Sequence, residues 1–369
     1  MTYQIISADS HFVEPPEMWA ERIDKPFRDR APHLIQEHQG KAGDFLACED
    51  IAVPLTQFCG AGKSGDELLE HSKKGLGALP KSAWDPAERL KEHELDGVKA
   101  EVLYASCGMA LFAIQDAELR AAAFRAFNDW AAEYTSYRPQ RLIGAGLITL
   151  ENIPAAVAEL QRCAQKGLRG VMIQGSPPDE RPYSSSDYDP FWAAAQDLNL
   201  PVSLHIFTSR RSEVEVKKAL QTYMQGPHYI QLTLVDMVSG GVFERFPQLK
   251  LVSAENDVSW LPHFLYRLDH GYDKFRKFEG VDLKLMPSEY IKRQVYATFV
   301  FEDAWADMQE HYGMSSLMWS SDYPHADSTW PRSLEYIAEH FKGVPEDTLV
   351  KVLSDNVASL YGINRSELG

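Results

Sequence analysis

The stretch IISADSHFVEPPEMW, residues 5–19, begins as an apolar, β-branched run and then places Asp9, His11 and Glu14 at and just beyond its end. Runs of this kind form strands buried on both faces, whereas ionisable side chains resist burial unless something compensates their charge. Two questions follow: what sheet the run belongs to, and what makes its polar end tolerable.

The run is the first of eight. IISADSH (5–11) is followed by KAEVLYAS (99–106), RLIGAGLITL (141–150), LRGVMIQ (168–174), PVSLHIF (201–207), LKLVSAEN (249–256), QVYATFVFE (294–302) and SLMWSSDY (316–323). None alternates cleanly between apolar and polar as a half-exposed strand would. Between them lie segments with helical periodicity. DPAERLKEHELDG (85–97) offers Asp85 as an N-cap, Pro86 in the first turn and Gly97 as a stop. The segments 116–137, 153–167 and 189–199 space Ala, Leu and aromatic residues three and four apart. Eight buried strands alternating with crossover helices predict an α/β fold, a (β/α)8 TIM barrel. An open doubly wound sheet would need a glycine-rich phosphate turn after its first strand, and ADSHFVEPPE is not one. Residues 20–84 break the repeat and are expected to form an insertion over the barrel mouth, within a single domain of 1–369. The long connection 208–248 carries enough helical pattern for an extra helix.

At 369 residues, with 44% hydrophobic and 24% charged side chains, the chain has ample material for one large core. Its 53 acidic against 37 basic residues give a formal charge of −16, which repels phosphate backbones and anionic headgroups. No nucleic-acid or membrane partner is expected, and a small-molecule substrate is. Cys48, Cys59, Cys107 and Cys163 form no C-x-x-C pair, and no secretory leader pattern or apolar stretch of about 18 residues occurs. A reduced, cytoplasmic protein is expected.

Barrel sites assemble at the C-terminal ends of the strands. There the first run supplies Asp9, His11 and, just beyond, Glu14; the fifth supplies His205; the sixth Glu255; the eighth Asp322, with His325 following. Carboxylates converging on one low-dielectric axis repel or protonate unless a cation joins them, so a divalent metal held by Asp9, His11, His205, Glu255 and Asp322 is expected. Residues i and i+2 of a strand share a face, which lets Asp9 and His11 grip one ion. The mixed oxygen and nitrogen set suits Zn, Mn or Fe without choosing among them. Three carboxylates against one divalent ion leave a negative charge, so a second ion is allowed. Glu14 and His325 are read as substrate-binding, or as a loop anchor and a turn residue. Arg210 and Arg211 can clamp a substrate carboxylate, or simply be solvated. His228 is a candidate proton carrier. Trp319 and Trp330 read as packing.

These motifs together resemble the amidohydrolase-related family that includes aminocarboxymuconate-semialdehyde decarboxylase and the benzoate-type non-oxidative decarboxylases. The resemblance runs through ADSHFVEP, DPAERLKEHELDGVKAEVLY, FNDW (127–130), LHIF, GVFERFPQLKLV, SSDYPHADSTWP (320–331) and LSDNVASLYGI (353–363), nearly the whole chain. It implies metal ligands at Asp9, His11, His205 and Asp322, and a homodimer. One departure stands out. Decarboxylase members carry a catalytic His after the sixth strand, in a setting like AHGGG, whereas this chain reads SAENDVSW with Glu255 at the aligned position. That substitution favours hydrolysis as the expected reaction: a metal-bound water, with Asp322 or Glu255 taking its proton, would attack an amide, lactone, ester or thioester of a small organic acid. Metal-dependent decarboxylation of an aromatic or unsaturated acid is the alternative.

Overall fold

The computed structural model describes residues 4–55, 59–209 and 219–368. Eleven strands occur among them. β1 (Ile5–His11) is followed by β2 (His33–His38), β3 (Lys41–Cys48) and β4 (Ile51–Pro54). The others are β5 (Val98–Tyr104), β6 (Leu142–Leu147), β7 (Gly170–Ile173), β8 (Val202–His205), β9 (Leu251–Ala254), β10 (Val295–Phe299) and β11 (Leu317–Trp319). Eight of them pair in the order β1, β5, β6, β7, β8, β9, β10, β11, each parallel to its neighbour. All eight apolar runs are therefore barrel strands. Across the remaining seam, His11 N donates to Tyr323 O at 2.8 Å and Asp322 N to Asp9 O at 3.0 Å, so the barrel is nearly closed.

The crossover helices start and stop for local reasons. The Asp85 carboxylate accepts from Ala87 N and Glu88 N at the head of helix Pro86–Asp96, and Gly97 ends it at φ 77°. A Cβ at Gly97 would also push against the Leu334 side chain, which adds to the preference for glycine that the positive φ sets. Helix Ala117–Ser136 packs on β6 through Asn128. This fully buried amide donates to Leu147 O at 2.9 Å and accepts from Leu147 N at 2.7 Å, acting as one more rung beside the strand. Replacing Asn128 by Leu strips two buried backbone groups of their partner, which is expected to cost about 1–3 kcal/mol. A urea midpoint unchanged from wild type would show that the amide carries no such burden.

Residues 33–54 form a separate three-stranded antiparallel sheet, β2-β3-β4. The 208–248 connection contains helix Ala219–Ser239 and the short Val242–Arg245, the extra helix expected there. Among the described residues no helix is long and apolar enough to cross a membrane. All four cysteines are buried free thiols.

Candidate metal centre

Parallel strands deliver their last side chains to one end of the barrel, and six of the expected residues meet there. Asp9, His11 and His205 are fully buried and Asp322 nearly so; Glu255 and His325 close the cluster on its outer side, their side chains 20% and 12% exposed. His11 Nε2 lies 3.5 Å from Asp9 Oδ1, 3.4 Å from Glu255 Oε2 and 3.2 Å from Asp322 Oδ1. His205 Nε2 lies 3.6 Å from Asp9 Oδ1 and 3.4 Å from the same Glu255 oxygen. His325 stacks on His11 with ring centroids 3.9 Å apart and places Nδ1 3.2 Å from Asp322 Oδ1.

The donor atoms fit a cation. Asp9 Oδ1, His11 Nε2, His205 Nε2 and both Asp322 oxygens are buried without a hydrogen-bond partner, an expensive arrangement for so many groups at once. Their separations of 3.2, 3.5 and 3.6 Å lie close to the edge of a tetrahedral shell, since ligands at about 2.1 Å from one ion sit roughly 3.4 Å from each other. The imidazoles are prepared for this. His11 Nδ1 meets Ala105 O at 3.0 Å and His205 Nδ1 meets Ile206 O at 3.1 Å. A carbonyl only accepts, so each Nδ1 carries the proton and each Nε2 turns a lone pair inward. Thr298 Oγ1 donates to Asp9 Oδ2 at 3.0 Å, leaving Oδ1 for the centre, and accepts from Glu255 N at 2.7 Å.

Electrostatics point the same way. Burial, then the Asp322 charge, pushes the Glu255 carboxyl well above the usual carboxylate range. Burial acts on Asp322 too, but the adjacent His325 and His11 outweigh it and hold Asp322 below that range. For both imidazoles burial lowers the pKa, and the carboxylates beside them, Asp322 for His11 and Asp9 for His205, more than reverse it. Glu255 and Asp322 also share a backbone oddity: φ is 54° and 53°, left-handed values that cost non-glycine residues about 1–3 kcal/mol and recur at functional sites.

Two of the expected residues stand apart from the cluster. Glu14 takes the place of a loop anchor, the second of its two readings. Its fully buried carboxylate accepts from Ser106 N at 3.1 Å, Cys107 N at 2.9 Å and Gly108 N at 3.3 Å, pinning the loop after β1 to the turn after β5. His228 is exposed on helix Ala219–Ser239, its Nδ1 2.9 Å from Met224 O one turn back, and does not join the cluster. Arg210 and Arg211 lie outside the described residues. Trp319 is buried in the core and Trp330 packs against Tyr323. A mostly apolar cleft of about 690 Å³ between helices Ala117–Ser136 and Ile153–Gln165 contains none of the cluster residues.

Partners that the sequence reading overlooked surround the centre. They are Thr298, Ser106, whose Oγ lies 3.1 Å from His325 Nε2, and the buried pair Arg89 and Glu101. The pair had a signal: Arg89, His93 and Asp96 put three polar residues on the buried stripe of one helix, and Glu101 sits inside an apolar strand.

Residues 50–363 match the amidohydrolase family model. The chain belongs to that family. Within the amidohydrolases, one relative is the 2-amino-3-carboxymuconate-6-semialdehyde decarboxylase of Dictyostelium discoideum, 27% identical over 293 residues, 78% of this chain and 79% of that one. A second is the gamma-resorcylate decarboxylase of a Polaromonas species, 24% identical over 272 residues, 69% and 81% of the two chains. An amidohydrolase from Mycobacterium avium subsp. paratuberculosis shares the fold with a TM-score of 0.82 at 22% identity, covering 98% of this chain and all of its own. So does a 5-carboxyvanillate decarboxylase from Novosphingobium aromaticivorans bound to manganese, with a TM-score of 0.71 at 18% identity, covering 98% and 96%. These relatives overturn the expected hydrolysis. The curated enzymes aligned with most of this chain are decarboxylases, so the presence of Glu255 in place of a His does not mark a hydrolase.

Proposed function

We propose that this protein is a metal-dependent, non-oxidative decarboxylase of an aromatic or unsaturated carboxylic acid. The reading is carried by its alignment over more than two thirds of its length with enzymes of that reaction type. The layered centre supports it. Asp9, His11, His205 and Asp322, buried beneath, would hold a divalent ion, manganese being the ion in the carboxyvanillate enzyme, while Glu255 and His325 face outward toward an incoming acid. When bound, the ion would supply positive charge that anchors substrate oxygens and offsets the Asp9 and Asp322 carboxylates.

The chain's own residues do the rest. Protonated Glu255 gives its proton to the ring carbon that bears the carboxylate. The bond from that carbon to the carboxyl carbon then breaks, its electron pair returns to the ring, and CO2 leaves. Glu255 regains a proton from solvent at the mouth. His325, fixed by Ser106 and Asp322, orients the substrate against His11. The insertion helps shape the mouth: Ala61 N donates to Pro324 O at 3.0 Å, and Gly60 abuts Ala326, both on the loop that carries His325.

The test runs the manganese-loaded protein in D2O with gamma-resorcylate and 5-carboxyvanillate, reading CO2 by mass spectrometry and the product by NMR. Release of CO2 with one deuterium at the vacated carbon is expected, and is lost after chelation. Fully metal-loaded protein that releases no CO2 from either acid, or from a wider hydroxybenzoate panel, would overturn the proposal.

A further inference from the structure

Arg89 is the most deeply buried cation described, with no exposed surface, and it stands beneath the metal centre at the seam between β1 and β11. These strands end the pairing order. They carry Asp9 and His11 on one side and lead into Asp322 on the other, and are joined there by His11 N to Tyr323 O, Asp322 N to Asp9 O and the hydroxyls of Ser7, Ser10 and Ser321. Arg89 comes from helix Pro86–Asp96, outside the barrel. Its Nη1 donates to His11 O at 3.0 Å and its Nη2 to Tyr323 O at 3.0 Å. The same guanidinium makes a two-pronged bond to Glu101 on β5, Nε to Oε1 at 2.7 Å and Nη2 to Oε2 at 2.8 Å, and lies 4.5 Å from the centre of the Tyr323 ring. His93 Nε2 holds Glu101 from behind at 2.8 Å.

A buried ion pair is a poor way to gain stability, because well-packed apolar side chains often serve as well. A planar fork does offer what apolar groups lack: fixed directions. Here four N–H bonds tie two carbonyls and one carboxylate into a plane. One of those carbonyls belongs to a ligand, His11. The other belongs to the residue after a ligand, Asp322, whose backbone is held in the left-handed region. Tyr323 O receives both Arg89 Nη2 and His11 N, so the peptide that joins Tyr323 to Pro324, one residue past Asp322, is held by two donors.

We propose that Arg89, oriented by Glu101, is a positioning residue for the metal centre, locking the two ligand-bearing sides of the barrel seam in register. It touches neither ion nor substrate. The inference rests on the reading that Asp9, His11, His205 and Asp322 hold a metal.

The test measures Mn2+ affinity by calorimetry, and the spectrum of bound Mn2+ by electron paramagnetic resonance, on wild type, Arg89→Met, Arg89→Lys and Asn128→Leu. All are kept well below their melting temperatures, with folding checked by circular dichroism. Outer partners of metal ligands typically contribute about 10–100-fold to affinity, and Arg89→Met is expected to lose that much, with a broadened spectrum. Arg89→Lys keeps the charge but not the fork, so it is expected to recover folding without recovering affinity. Asn128→Leu, destabilised at β6, which β5 separates from the seam strand β1, is expected to bind as wild type does. Should Arg89→Met not fold, Arg89→Lys decides alone. Wild-type affinity and spectrum in either folded Arg89 variant would overturn the proposal, as would equal weakening in Asn128→Leu, which would make the loss a matter of general stability. Wild type that binds no Mn2+ would sink the metal reading itself, a separate and recognisable failure.

Discussion

Asp322→Asn is expected to lower kcat/KM for decarboxylation on the order of 10³-fold or more, beyond the loss typical of a single electrostatic donor at a reacting centre. The reason lies in what the carboxylate faces. Both of its oxygens are buried without hydrogen-bond partners, with His11 Nε2 and His325 Nδ1 each 3.2 Å from Oδ1. An amide there presents a neutral oxygen or an N–H to a centre whose other groups, the lone pair of His11 Nε2 among them, are arranged around a cation. The ion loses one of its few anionic ligands, and His325 loses the charge that orients it. Metal-free stability should move the other way. The substitution removes one of the two carboxylate charges, Asp9 and Asp322, buried in the centre, and Asn tolerates the φ of 53°. A metal-free melting temperature equal to or above that of wild type, together with diminished stabilisation by Mn2+, is therefore expected. Steady-state rates, metal content and melting curves with and without chelator provide the check. Activity within tenfold of wild type at full metal loading would remove Asp322 from the centre.

The barrel was legible because its strands are buried on both faces. Such strands must be almost wholly apolar, as in QVYATFVFE, of which Val295–Phe299 pairs, and the polar residues that end them stand out by contrast. The helix 85–97 was legible for a different reason, since its cap, first-turn proline and terminal glycine are local chemistry. The sheet β2-β3-β4 was not read, although its turn is written in EHQGKAGDF, where Gln39 and Gly40 take φ of 51° and 76°. Its strands are short and partly exposed, and their mixed polarity resembles a loop when no partner strand is in view.

At the site, what a strand end dictates could be read, and what depends on meetings between distant elements could not. Asp9, His11, His205, Glu255 and Asp322 converge because the barrel leaves their positions no other direction. Glu14 stands only a few residues further on, past the end of β1, where the path of the chain decides everything. That path carries it onto the amides of Ser106, Cys107 and Gly108. Arg89 and Glu101 each broke the local pattern of their element, and either oddity alone reads as a surface residue misplaced. Only as a pair do they make sense, and the pairing is a tertiary fact.

Glu255 is where the sequence reading and the relatives pulled apart, and Glu255→Gln tests it directly. The mutant is expected to lose about 10²–10⁴-fold in kcat, the usual contribution of a general acid, with little change in KM and with metal content unaltered. Geometry argues for the acid role over a ligand role. Asp9, His205 and Asp322 are closed off from solvent, whereas Glu255 keeps part of its side chain exposed, as a proton donor that must be recharged requires. Its Oε2 sits 3.4 Å from both His11 Nε2 and His205 Nε2, capping the centre from the substrate side. Gln preserves the shape and the polar contacts but carries no proton that it can release to carbon. Glu255→His restores the residue type that the family resemblance leads one to expect, and should recover part of the lost rate if a proton donor is all the position supplies. Metal content per chain, measured by plasma mass spectrometry on untagged protein, separates the alternatives. A fall of one equivalent in Glu255→Gln would make Glu255 a ligand of a second ion. A kcat within tenfold of wild type would mean that the proton reaches the ring from elsewhere, with His325 the next group to replace.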